Sequence, residues 1–196
     1  MPWADANPDR RRGYHVGNLR SLLLEEARAI VGESGVGQLN LRALAARAGI
    51  APGSVYHHYA SKTALMAGLA GEGFAQLEAA LRAAAGSETP IRACALAYFG
   101  FAQAEPGLYS LMFDPPVLNE PSVAAARDQA FAVLEQVIGE APSQHDRPPE
   151  LVHKVALAVW ACGHGAASMT LAQSGDVNSP LMEDVIQGLE ALFRRR

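Results

Sequence analysis

At 196 residues with 49% hydrophobic side chains, the chain has length for a small head on a larger body; its Ala- and Leu-rich composition, with few β-branched runs, argues against a sheet and predicts an all-α fold. The formal net charge of −4 hides an asymmetry: eight Lys or Arg against five Asp or Glu give +3 over residues 1–71, and eight against fifteen give −7 over residues 72–196. Attraction to phosphates therefore belongs to the N-terminal region, and the acidic remainder is expected to stay off nucleic acid.

Residues 1–16 are polar, contain Pro2 and Pro8, and carry the run Arg10, Arg11, Arg12, which predicts a disordered basic arm. The segment LRSLLLEEA that follows is broken by Ser21 and Glu25, so it is not the apolar stretch of an export signal, and a cytoplasmic location is expected. Instead Leu19, Leu22, Leu23, Ala27, Ile30 and Val31 form one stripe of a first helix over about residues 17–33. A turn with Gly32, Gly35 and Gly37 follows.

Residues 40–62 read NLRALAARAGIAPGSVYHHYASK. Leu41, Leu44, Ala45 and Ala48 share one face of a short helix with Asn40 as its N-cap, and Gly49 stands where a helix ends in a left-handed residue. Pro52 suits a first helical position, so a second short helix is expected over residues 54–59, and the pair reads as a helix-turn-helix. Ala51 supplies no cap side chain. Asn40 and Arg42 lie at a helix N-terminus, where free N–H groups and the dipole suit a phosphate. Gly53 permits close approach to bases, Pro52 and Ser54 are placed to touch base edges or thymine methyls, and Tyr56 and His57 are placed for phosphates. His57 and His58 point about 100° apart on a helix, which is unfavourable for a shared metal.

The segment AxRAGIAPGSVYHHYASKTAL resembles the DNA-binding motif of tetracycline-repressor-like (TetR-family) transcription regulators: it joins the Gly turn, Tyr56, the His58-Tyr59 pair and Ser61-Lys62 at that family's spacing. The resemblance implies that Lys62 is a phosphate-binding lysine and that the second short helix enters a major groove. An arginine arm beside such a module, here Arg11 and Arg12, is expected to reach a minor groove or flanking phosphates. Tyr14-His15-Val16-Gly17-Asn18-Leu19-Arg20, the run EPGLYSLMFDPP and the series Trp160, His164, Gly165 resemble one subgroup of the family.

Beyond the motif, Leu65, Leu69, Phe74, Leu77 and Leu81 continue one long helix to about Ala85. Thr89-Pro90 opens another, Glu105-Pro106-Gly107 interrupts it, and Leu108 to Phe113 make a short apolar turn of helix before Pro115-Pro116. Phe131, Val133, Leu134, Val137 and Ile138 mark a further helix, followed by a Pro-rich linker over residues 141–149. The next helix, about residues 150–174, is apolar nearly all round, with Leu151, Val155, Val159 and Cys162 assigned to one side and Leu157, Trp160, His164 and Leu171 to another. Residues 155–172 lack a formal charge, yet small and polar side chains dominate them, so a membrane partner is not expected. The last helix starts at Ser179-Pro180 with the stripe Leu181, Val185, Leu189, Leu192.

These readings divide the chain into a basic arm (1–16), a helix-turn-helix DNA-binding domain (17–70) and an effector-binding and dimerisation domain (71–196). The resemblance implies a homodimer through the last two helices, a palindromic double-stranded operator and a small-molecule effector, with a repressor expected. Trp160 and His164, four apart, are expected to line an effector cavity with Tyr98, Phe101, Tyr109 and Met112; the plainer alternative is that each only fills the core. Cys94 and Cys162 lack metal or CxxC spacing and are expected to be buried core thiols; no cofactor is expected. Cys162, His164 and Glu105 offer no nucleophile paired with a positioned base, which sets aside a helical enzyme. A helical ligand-binding or interaction protein without DNA binding is the other alternative.

Overall fold

The computed structural model describes residues 19–144, 146–173 and 180–193, and among these no strand occurs. The elements are α1 (Leu19–Ser34), a 3₁₀ turn (Val36–Gln38), α2 (Leu41–Ala48), α3 (Pro52–His58), α4 (Lys62–Ala85), α5 (Pro90–Ala104), α6 (Pro106–Met112), α7 (Pro115–Leu118), α8 (Pro121–Gly139), α9 (Pro149–Gln173) and α10 (Pro180–Phe193). The chain forms two compact units, residues 1–65 and 66–196, with the division inside α4. The arm with Arg11 and Arg12 lies outside the described residues.

Proline places most of the helix starts. Every helix from α5 to α10 opens on one, as does α3, because a fixed φ and a missing N–H cost nothing at a first helical position. The same rule accounts for two features that apolar periodicity did not reveal: the single turn α7 at Pro115, and the start of α8 at Pro121, well before its apolar stripe around Phe131.

In the first unit, Leu23, Leu24, Ala27, Ile30 and Val31 of α1 are buried, as are Leu41, Leu44 and Ala45 of α2 and Val55 of α3. Each such side chain contributes about 1.5–3 kcal/mol when it is a fully buried Leu, Ile or Val. Gly49 has φ +69°, the left-handed conformation that lets the chain leave α2 and enter α3.

In the second unit, α9 runs along α8, α5 and α10. Leu134, Ile138, Ala156, Val159, Leu189 and Phe193 form one core cluster, with Ile91, Phe131, Trp160 and Val185 packed against it. Arg92 of α5 reaches α10, donating to both Glu183 carboxylate oxygens at 2.9 and 3.1 Å. On α10 the buried set is Met182, Ile186, Leu189 and Phe193, so Leu189 faces its own protomer's core and Val185 borders it.

The assignment of faces on α9 differs from the sequence reading. The buried residues are Ala156, Val159, Ala166, Ala167 and Thr170, whereas Leu157 and Met169 are 53% and 54% exposed. Cys162 is exposed on that outward side, correcting the expectation of two buried thiols; Cys94 is buried. The reason is that large apolar side chains occupy both faces of α9, and the alanines, rather than the leucines, fit the close approach to α5 and α8. Pro149–Ala172 is long and apolar enough to pass as a membrane span, with only 28% of the window buried, so most of an apolar helix is turned away from its own core.

Candidate functional site

In the first unit, the sequence places α3 with Pro52, Gly53, Tyr56 and His57 on its exposed side and Val55 fully buried opposite. Tyr56 is 53% exposed, which leaves its ring and hydroxyl open to a partner. Ser54 is half-buried. The Asn40 side chain accepts from the Ala43 N–H at 2.8 Å, so its Oδ1 caps α2, while its Nδ2 donates to the Gln38 carbonyl at 3.2 Å. Arg42 is exposed on the first turn of α2. Lys62 is half-buried at the start of α4, its Nζ donating to the Val36 carbonyl at 3.4 Å; the Ser61 hydroxyl caps the same helix by accepting from the Ala64 N–H at 3.0 Å.

Two further cations of this unit, Arg47 and Arg20, have side-chain partners within it. Arg47 forks onto Glu33 at 2.6 and 2.7 Å and donates to Glu26 at 2.6 Å, which ties α2 to α1. That hydrogen bonding holds the Glu33 carboxyl below its usual range and the Arg47 guanidinium firmly charged. Arg20 lies over the Tyr59 ring at 5.3 Å. Arg47 and Arg20 are thereby held on neighbouring side chains of their own unit while remaining exposed.

The second unit holds an aromatic cluster built on one chain of hydrogen bonds. The Tyr98 and Tyr109 hydroxyls are 3.1 Å apart, and the Tyr109 hydroxyl is 2.7 Å from His164 Nδ1. Burial pushes the Tyr109 phenol up to about 12 and Tyr98 higher still, and pushes the His164 imidazole below its usual value. All three are therefore neutral near pH 7. A neutral ring lets Nδ1 accept from Tyr109, whose oxygen accepts from Tyr98 in turn; this tautomer is assigned from the network. Trp160 sits edge-on to Tyr98 with centroids 5.4 Å apart.

Of the six predicted lining residues, Tyr98, Tyr109, Trp160 and His164 thus come together. Met112 is fully buried beside Gly73 of α4, where an added Cβ would meet its Sδ at 2.6 Å. Phe101 is half-buried and is not among the residues lining the two cavities described below. Two members of the cluster escaped the sequence reading: Phe113, tilted against the His164 ring with centroids 4.1 Å apart, and Phe131, edge-on to Trp160 with centroids 5.7 Å apart. Phe113 lay in the quoted EPGLYSLMFDPP run; its partner, 51 positions away in sequence, gave no local signal.

Two cavities border this network. An inner one of about 30 Å³ is lined by residues including Leu81, Cys94, Tyr98, Trp160 and Leu189. An open cleft of about 440 Å³ between α6 and α9 is lined by Pro106, Tyr109, Ser110, Phe113, Ser168, Leu171 and Ala172. Burial raises the Cys94 thiol to about 11, so it is a packing group rather than a nucleophile.

Residues 91–194, over half of the chain, match the description "Tetracyclin repressor-like, C-terminal domain", and residues 23–69 match "Bacterial regulatory proteins, tetR family". The chain belongs to the TetR family. It is accordingly a DNA-binding transcription regulator and not an enzyme, in a family whose members bind DNA and small-molecule effectors and are typically dimeric. Among solved structures, a protein of unknown function from Rhodococcus sp. RHA1 is 30% identical to this regulator, covers 93% of it and 97% of its own chain, and superposes with TM-score 0.77. The TetR-family regulator PfmR from Thermus thermophilus shares the fold at 18% identity and TM-score 0.61, covering 89% of this chain and 99% of its own. The fatty acid degradation regulator FadR from Bacillus halodurans does so at 14% identity and TM-score 0.66, covering 89% and 99%. No curated protein is matched by this sequence.

Proposed function

We propose that this TetR-family regulator is a homodimeric repressor released from a palindromic operator by a small apolar molecule bound in its body. The observation that carries the effector half of this reading is the buried Tyr98–Tyr109–His164 chain set between a ligand-sized cleft and an apolar cavity. On the DNA side, Pro52, Gly53 and Ser54 read base edges. Asn40, Arg42, Tyr56, His57 and Lys62 hold phosphates, and Arg11 and Arg12 reach the flanking groove. Asn40 engages a phosphate through the α2 N-terminus it caps, since its Oδ1 is committed to Ala43.

Dimerisation is supported by the outward side of α9, where Leu157, Ala158, Ala161, Cys162 and Met169 are exposed together. A second copy of that face, with the neighbouring Leu181 and Gly188 of α10, would bury it in a four-helix contact. Release is supported by α6, whose Leu108 and Met112 abut Gly73. An effector that displaces Tyr109 moves α6 against α4, and α4 runs on into the first unit. Effector and operator must then weaken each other by the same factor.

The test is selection of binding sites from random duplex DNA by the purified protein. An inverted repeat with half-sites about 34–36 Å apart, bound by an even number of chains, is expected. Sites without two-fold symmetry, bound by a single chain, would overturn the reading.

A further inference from the structure

The two cavities differ in kind and meet at one hydrogen bond. The inner cavity, about 30 Å³, has room for roughly one water-sized group, and its walls are almost wholly apolar. By itself it holds no effector. The α6–α9 cleft, about 440 Å³, falls in the ligand range and offers the hydroxyls of Tyr109, Ser110 and Ser168. Tyr98 belongs to the inner wall and Tyr109 to the outer, with hydroxyls 3.1 Å apart and rings edge-on at 5.9 Å. The pair stands between the two spaces.

Charge narrows the ligand further. Among the described residues, neither lining contains Lys, Arg, Asp or Glu. His164, held neutral by burial, adds no positive charge at the head of the site. A carboxylate or ammonium entering here gives up its water and meets no opposite charge among the described lining residues, which weighs against its binding. A hydroxyl or carbonyl, in contrast, can exchange with one of the Tyr109 hydroxyl's present partners, Tyr98, Ser168 or His164, at little net cost.

Building on the effector reading above, we infer that the effector is an uncharged amphiphile: one hydroxyl or carbonyl bound at Tyr109 and His164 from the α6–α9 cleft, and an apolar tail that parts Tyr98 from Tyr109 to reach the inner cavity beside Trp160. Tyr98 and Tyr109 act as a gate, shut by their own hydrogen bond and opened when the ligand's polar group replaces it.

The experiment is calorimetric titration of the full chain at pH 7.5 with three probes of equal tail, 1-octanol, octanoate and octylammonium, with Trp160 emission followed in parallel and Trp160→Phe as control. Octanol is expected to bind at least tenfold more tightly than either ion and to shift Trp160 emission. Tyr109→Phe should weaken octanol by about two- to tenfold, the worth of one hydrogen bond. Tyr98→Phe, which keeps the ring and unlatches the gate, should tighten it. Octanoate or octylammonium binding as tightly as octanol overturns the uncharged class while leaving an effector site in the body intact. Octanol binding with Trp160 emission unchanged, or unaffected by both Tyr variants, overturns the gate. If none of the probes binds, the inference falls, and the operator selection described above judges the regulatory reading separately.

Discussion

The two units present their candidate functional residues in opposite ways. In the first, Pro52, Gly53, Tyr56 and His57 stand exposed on a seven-residue helix whose other side is buried. In the second, Tyr98, Tyr109 and Met112 are buried, and Tyr98, Tyr109 and His164 are hydrogen-bonded to one another. A surface that docks on a macromolecule can keep its contacts unsatisfied until the partner arrives, because water meets them meanwhile. A site that admits a small molecule into a core must satisfy its polar groups internally and then exchange those bonds for the ligand's. Substitutions in the first unit should therefore alter binding with little effect on folding, whereas those in the second should disturb both.

The largest break in that contrast comes from α9 and α10. Leu189→Arg buries a charge in the core cluster with Leu134 and Val159 and should cost more than about 4 kcal/mol, unfolding the body. Leu157→Arg, on the exposed side of α9, should leave folding of the single chain near that of the parent and dissociate the proposed dimer. Sedimentation and thermal unfolding of the two variants separate the outcomes; a folded dimer in Leu157→Arg moves the interface elsewhere.

Next in size is Gly73→Ala, which sets a methyl against the buried Met112 side chain and should destabilise the body by about 1–3 kcal/mol. If the clash is the cause, adding Met112→Ala should make the two losses non-additive in urea unfolding. Additive losses would show that α6 and α4 are not coupled there.

A smaller effect is acid sensitivity from His164. Its folded pKa is depressed below the usual ~6.5, so below that pH the unfolded chain binds more protons than the folded one. Its contribution is complete above about pH 6.5 and is lost as pH falls toward the depressed value. Melting temperatures from pH 5 to 8 should rise with pH, and His164→Gln should flatten that rise. An identical slope in the variant would mean that other groups control it.

The smallest expected change lies in the first unit. Lys62→Ala should lower the slope of log affinity against log salt by about one unit and weaken all DNA sequences alike, with little change in stability. A sequence-dependent loss would make Lys62 a reader of bases rather than a phosphate contact.

The helix-turn-helix was legible in the sequence because its determinants are local: Asn40 caps α2 across three residues, Gly49 leaves it at φ +69°, and Pro52 opens α3. Each act is complete within one turn of chain, where residue type and spacing suffice. The body offered less. Trp160 and His164 could be placed on one face of a helix, but the chain from His164 to Tyr109 joins positions 55 apart, and no local pattern encodes such a pair.

What the sequence by itself determined is thus the all-α class, the DNA-binding motif and the helix starts at Pro52, Pro90 and Pro180. What only the tertiary structure decided is which sides of α9 and α10 are interior: Leu189 inward, Leu157, Met169 and Cys162 outward. On a helix that is apolar nearly all round, the 3.6-residue period no longer distinguishes core from surface. The choice then falls to packing, and small residues such as Ala156, Ala166 and Ala167 win the inner face because they let neighbouring helices approach.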